Sequence, residues 1–131
     1  VQRGGEGVKS FTSFNKRIRA ALVPLFSDDD DGNAPVAHLQ YSGPASQYVI
    51  FNAGQTMPEV FGSGNNRVVR GYAYVDYFSK TDDSGAGGKI AEIETALNGA
   101  DGFKVTQVTE VGRDEAGWYH TEFSLTVTGH V

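Results

Sequence analysis

The chain contains no cysteine in its 131 residues, and this absence excludes three kinds of protein. A disulfide scaffold, a zinc site built from thiolates and an enzyme with a cysteine nucleophile all need a thiol. Apolar runs are also short, since no stretch approaches the roughly 18 residues that a transmembrane helix requires. The sequence therefore predicts no membrane-spanning helix and no thiol chemistry.

Positive charge is scarce as well. The 16 Asp and Glu residues outnumber the 11 Lys and Arg residues, which gives a net charge of −5 and an isoelectric point of about 5.0. Binding to nucleic acid depends on a surplus of cationic side chains. We therefore expect neither nucleic acid as the primary ligand nor a membrane as a partner.

Segments rich in Gly, Ser, Asn and Asp divide the chain. Residues 1–10 are polar and contain three of the glycines near the start, so we expect a flexible N-terminal leader there, followed by a single domain over residues 11–131. The same residue types dominate 53–66 and 80–88, and few apolar anchors offset the cost of ordering them. We predict that both of these segments are mobile loops.

The spacing of apolar residues predicts the fold class. Apolar side chains recur at helical intervals over residues 11–26 and again over 89–98. Five other segments have the alternation, or the β-branched and aromatic content, that is typical of strands: 36–41, 48–51, 67–78, 103–111 and 118–128. We predict an α+β fold, in which a mostly antiparallel sheet has two helices packed on one face.

The strand predicted over residues 67–78 is apolar on both of its faces. Two short helices cover only one face of a sheet, so the other face of this strand needs a partner. Tyrosine supplies rigid contact area at protein interfaces. We therefore expect Tyr72, Tyr74 and Tyr77 to contact a neighbouring subunit.

Two patches of opposite charge also point to self-association. Arg67 and Arg70 lie near the start of that strand, and a distant loop contains four consecutive aspartates: Asp28, Asp29, Asp30 and Asp31. Opposite patches on one chain suit head-to-tail packing, and such packing can close into a ring. We assign these two arginines and four aspartates to the predicted oligomer interface, together with the three tyrosines.

Motifs for catalysis and for cofactor binding are incomplete. A calcium loop with Gly32 at its sixth position would begin at Ser27 and end at His38, and neither residue fits. The three histidines have no partner at short spacing, and Gly88-Lys89 lacks the Ser or Thr that completes a phosphate-binding loop. We predict no enzymatic activity, no cofactor and no metal, and we expect Asp76 to face water or to pair with Arg70 or another cation.

The order of the predicted helices and strands resembles that of a known protein family. A helix over 11–26 precedes a polar loop, residues 48–51 and 71–78 form strands, and a helix then leads to a C-terminal hairpin that contains residues 118–123. In size, order and texture, residues 10–130 resemble the tail terminator or tail-completion proteins of long-tailed bacteriophages and prophages, a family that includes the minor tail protein U of phage lambda.

The resemblance implies a non-enzymatic structural protein of the virion. Members of that family form a ring, commonly a hexamer, at the end of the tail tube, where they terminate tail polymerisation and mediate head–tail joining. The implied partners are further copies of the chain, the tail tube protein and a head-completion or connector protein. The implied location is the head–tail junction of the virion, and the host cytoplasm during assembly.

Two other functions fit the same residues. The chain could be another head–tail connector or a tail tube subunit, because the same pattern of residues and elements would suit either of them. It could instead be a small α+β ligand-binding domain or enzyme, with a pocket near Arg70, Tyr74 and Asp76. The mass of the assembled particle discriminates these classes best, because a ring requires a multiple of the 14.1 kDa subunit.

Overall fold

The structure is a computed structural model that describes residues 11–61, 68–85 and 87–130. Within these ranges the chain forms two helices and five strands, in the order α1 Phe11–Leu22, β1 Val36–His38, β2 Gln47–Phe61, β3 Val68–Ser79, α2 Lys89–Asn98, β4 Phe103–Arg113 and β5 Tyr119–His130. A short 3₁₀ turn, Val23–Leu25, extends α1, and Pro24 lies within it. Neither helix in the described ranges is long and apolar enough to cross a membrane.

The strands form one mixed sheet in the order β1-β2-β3-β5-β4. Only β1 runs parallel to its neighbour, and the pairs β2–β3, β3–β5 and β4–β5 are antiparallel. The predicted α+β class, with a mostly antiparallel sheet and two helices, is therefore confirmed.

The helices bury one face of the sheet. Phe14, Ile18 and Leu22 recur every four residues of α1 and are fully buried, and Ile93 and Leu97 do the same on α2. The sheet supplies the other half of the core through alternate residues of its three central strands: Val49, Phe51, Ala53, Ala73, Val75, Tyr77, Phe123, Leu125 and Val127. Since successive side chains of a strand point to opposite faces, the residues between these lie on the other side.

We call that other side the open face. Tyr72 and Tyr74 are 38% and 45% exposed there, whereas Ala73 and Val75 between and beside them are buried. The open face carries the alternate residues of the same three strands: Tyr48, Ile50, Asn52, Tyr72, Tyr74, Asp76, Phe78, His120, Glu122, Ser124 and Thr126.

The predicted loop over residues 53–66 is wrong in its first part. Strand β2 continues to Phe61 and pairs with β3 along this length. Gly54 and Pro58 coincide with shifts in the pairing register, and β-bulges accommodate such residues in a strand. Residues 62–66 and the predicted leader 1–10 lie outside the described residues.

The strand predicted over residues 36–41 is shorter than expected. Strand β1 ends at His38, because Leu39 has a backbone φ of 73°, which an extended strand does not allow. The segment 80–88 contains no strand or helix in its described part, and its predicted mobility stays a prediction.

Candidate functional site

A row of stacked rings crosses the open face at one end of the sheet. Tyr48, Phe78 and His120 are direct partners on three neighbouring strands. Their ring centroids are 4.9 Å apart between Tyr48 and Phe78, and 4.3 Å apart between Phe78 and His120. The ring of Tyr41 also stacks on that of Tyr48 at 4.9 Å, and the ring of Trp118 meets that of Tyr48 edge-on at 5.2 Å. Such cross-strand aromatic pairs stabilise the register of the strands and fix the orientation of the rings.

A cluster of titratable side chains lies directly beside this row. Asp76 and Glu122 are cross-strand partners, and His120 lies two residues before Glu122 on the same face of β5. The His120 Nε2 atom is 2.8 Å from the Asp76 Oδ1 atom, and Asp76 is buried while Glu122 is exposed. His120 is therefore the partner that offsets the burial of the Asp76 carboxylate.

Arg70 is not the partner of Asp76. It precedes Asp76 by six residues on β3, which at ~3.3 Å per residue is a distance of about 20 Å. At this separation Arg70 does not reach Asp76, and the hydrogen-bond partner of Asp76 is His120 instead.

A shallow hollow lies on the open face next to the titratable cluster. Its volume is about 550 Å³, and it opens widely to solvent. Polar and aromatic side chains from four strands line it, among them Asn52, Tyr72, Tyr74, Thr106, Glu122 and Ser124. The hollow therefore exposes tyrosine rings together with hydrogen-bonding groups, which is the mixture that protein interfaces use.

Four of the predicted interface residues belong to β3, and the structure separates them. Tyr72 and Tyr74 lie exposed on the open face, where a neighbouring subunit can reach them. Arg70 is partly buried on the same strand. Arg67 lies outside the described residues.

The prediction that Tyr77 lies at the interface is wrong. It is only 1% exposed and packs on the face that the helices cover, where its ring lies 6.2 Å from that of Phe26. Its hydroxyl group donates a hydrogen bond to the carboxylate of Asp83 and lies 3.0 Å from the side-chain oxygen of Gln47. Burial, and then the hydrogen bond to Asp83, raise the pKa of Tyr77 far above its ordinary value. Tyr77 is a core residue and cannot contact another subunit in this fold.

The acidic loop is ordered around one of its four aspartates. The Asp29 carboxylate accepts hydrogen bonds from the Tyr41 hydroxyl at 2.7 Å and from the backbone N–H groups of Asp31 and Asn33 at 2.9 and 3.0 Å. The side chains of Asp28, Asp30 and Asp31 are exposed. Asp29 therefore shapes the loop, and the other three aspartates supply the accessible negative charge.

This arrangement gives the loop a dependence on pH. The hydrogen bond from Tyr41, followed by those from the loop backbone, lowers the pKa of Asp29 below its ordinary value of 3.8. A carboxyl group with a lowered folded-state pKa stabilises the fold above its ordinary pKa, and that contribution is lost as the pH falls through the folded-state pKa. We expect the Asn33 amide resonance to shift on acidification below pH 3.8, and the Asp29→Asn variant to show the shifted resonance already at neutral pH. An unchanged Asn33 resonance from about pH 5 to about pH 2 would contradict this interpretation.

Arg70 and the acidic loop lie at opposite ends of the sheet. The acidic loop shares a depression with Ser46 and Gln47, where β2 begins. Gln47 pairs with Ser79 at the end of β3, and Arg70 precedes Ser79 by nine residues, or about 30 Å at ~3.3 Å per residue. The separation that head-to-tail packing requires is therefore present for Arg70 and the acidic loop.

The titratable cluster is the feature that the sequence analysis missed. His120 and Glu122 stand two residues apart on a predicted strand, which placed them on one face. They approach Asp76 only because of the register in which β3 and β5 pair. Asp76 and His120 are 44 positions apart in the sequence, so no local pattern predicts that register.

No protein-family model matches this chain. No curated protein matches it either. Among solved structures, the fold is similar to that of a chain in the virion of a native gene transfer agent particle, with a TM-score of 0.53. The similarity covers 87% of this chain and 84% of that chain at 14% sequence identity. At this identity, the likeness establishes a shared fold.

Proposed function

We propose that this chain is a structural protein of a phage-type virion, and that it forms the ring that terminates the tail tube and mediates head–tail joining. The observation that carries the proposal is the fold, which is shared over most of both chains with a component of a virion particle. The element order that resembles the tail terminator family adds the specific position at the end of the tube.

The open face supports assembly from identical subunits. Both helices lie on the opposite side of the sheet, so Tyr72 and Tyr74 are left exposed in the middle of the central strand. Exposed aromatic side chains that surround a hollow with polar groups are typical of interface centres. We propose that the neighbouring subunit covers this part of β3.

The charge distribution supports a closed ring. Arg70 lies at one end of the sheet and the exposed aspartates lie at the other, so the contact between two copies joins unlike surfaces. A contact between unlike surfaces repeats around an axis and closes when its rotation divides a full turn. The family resemblance makes a hexamer the expected ring. Because Asp28, Asp30 and Asp31 are exposed, assembly through this loop should weaken with added salt.

The proposed partners follow from the position of the ring. One side would bind the tail tube protein and the other a head-completion or connector protein, within the virion at the head–tail junction. During assembly the chain would act in the host cytoplasm. We propose no catalytic activity, because the chain would act through these interfaces.

Binding to tail tubes tests the proposal. A terminator binds tube ends, so the bound amount should depend on the number of ends, whereas a tube subunit or a side-binding protein follows the total length. Purified tubes should therefore bind more of the chain per unit mass after shearing, measured by co-sedimentation. Binding that follows tube mass and is unaffected by shearing would assign the chain to another position.

A further inference from the structure

We propose that Asp76, His120 and Glu122 form a binding site for a divalent transition-metal ion of the zinc class. One ligand atom from each residue can be chosen so that all three lie within 4.8 Å of one another. Glu122 also lines the hollow that the proposed subunit contact covers, so the site adjoins that contact, but the test of zinc binding to the separate chain does not depend on the ring.

Strand geometry explains why these three side chains converge. His120 and Glu122 occupy alternate positions of β5 and therefore point to the same face. Asp76 is the direct partner of Glu122 on β3, so its carboxylate reaches the same point from the neighbouring strand. Two central strands of the sheet thus hold the three ligands, and ligands on such elements keep their geometry better than ligands on loops.

The donor set indicates the type of ion. One imidazole nitrogen and two carboxylate oxygens suit zinc and related first-row metals, which accept mixed nitrogen and oxygen ligands. Calcium takes six to eight oxygen ligands, which this cluster does not provide. Three protein ligands leave a fourth zinc position for water, and Glu122 lines the neighbouring hollow, which is open to solvent.

Two of the ligands are already held in place. The ring of Phe78 stacks on that of His120 at 4.3 Å, with an angle of 16° between the planes, which fixes the imidazole. His120 Nε2 and Asp76 Oδ1 are 2.8 Å apart, compared with about 3.3 Å between two ligands of a tetrahedral zinc ion at ~2.0–2.1 Å. An ion can therefore take the place of this hydrogen bond after a small separation of the two atoms, and the exposed Glu122 completes the set.

Titration calorimetry of the full chain with zinc chloride tests this site. We expect one ion per chain, and we expect affinity at least ~10-fold lower in His120→Gln and in Glu122→Gln. His38→Gln is the matched control, since His38 is an exposed strand histidine that is hydrogen-bonded to the amide of Asn52 and not to a carboxylate. The control should bind zinc as the unaltered chain does.

The alternative is that His120 only satisfies the buried Asp76 carboxylate. Then His120→Gln would lower the melting temperature, while zinc would bind neither the unaltered chain nor Glu122→Gln, and this result would overturn the proposal. Equal zinc affinity in the unaltered chain and in Glu122→Gln would also overturn it. Glu122 is exposed, so its amide variant should keep the fold, and cobalt substitution should give a visible absorption band that this variant loses.

Discussion

Replacement of Tyr74 by alanine is expected to weaken subunit assembly by ~30-fold, which corresponds to roughly 2 kcal/mol. Tyr74 is 45% exposed in the middle of the central strand and lines the hollow of the open face. Aromatic anchors near the centre of an interface carry most of its affinity, whereas charged groups at the rim contribute mainly to rate and specificity. The change is measured as the concentration of chain that half-saturates tail tube ends.

Two variants control this experiment. Val111→Ala removes an exposed apolar side chain from a bulge of the edge strand β4, and it should leave assembly unchanged. Arg67→Ala should weaken assembly less than Tyr74→Ala does, and its effect should disappear at high salt. If Tyr74→Ala assembles as well as Val111→Ala, the open face is not the contact surface.

Replacement of Tyr77 by alanine should instead lower the free energy of unfolding by ~3–5 kcal/mol, the range for aromatic residues in a core. Tyr77 is 1% exposed, so truncation leaves a cavity beneath the helices and removes the hydrogen bond to Asp83. Tyr77→Phe keeps the ring and loses only the hydroxyl group, so it should cost about 1 kcal/mol.

Urea unfolding of the three tyrosine variants separates these effects. Tyr74→Ala should change the free energy of unfolding by only ~0.5 kcal/mol, because the side chain is largely exposed. The two tyrosines are three residues apart on one strand, and they serve as controls for each other. A small loss of stability in Tyr77→Ala, comparable to that in Tyr74→Ala, would contradict the assignment of Tyr77 to the core.

Local patterns were sufficient to predict the elements whose spacing is regular. Helix α2 has the predicted bounds, since Ile93 and Leu97 face the core and Gly99 follows the last turn. In β5 the alternation of apolar and polar residues puts Phe123, Leu125 and Val127 on one face, and that face is buried in the core.

Features that depend on pairing between strands were not predictable in this way. Gly54 and Pro58 indicated a loop, but β3 pairs with this segment and bulges absorb the irregularity. The sequence also placed Tyr74 and Tyr77 on opposite faces of β3 without indicating which face the helices cover. The same holds for Asp76 and His120, whose contact requires the register of β3 against β5.

Electron microscopy of tail tube ends is the most direct test of the proposed tail terminator function. Tubes purified without the chain would be incubated with it and then with further tube protein, so that capping and growth are observed together. We predict a ring, hexameric by the family resemblance, on one end of each tube, and no further growth at that end. Bare ends, decoration along the length of the tube, or continued growth from a decorated end would contradict that function.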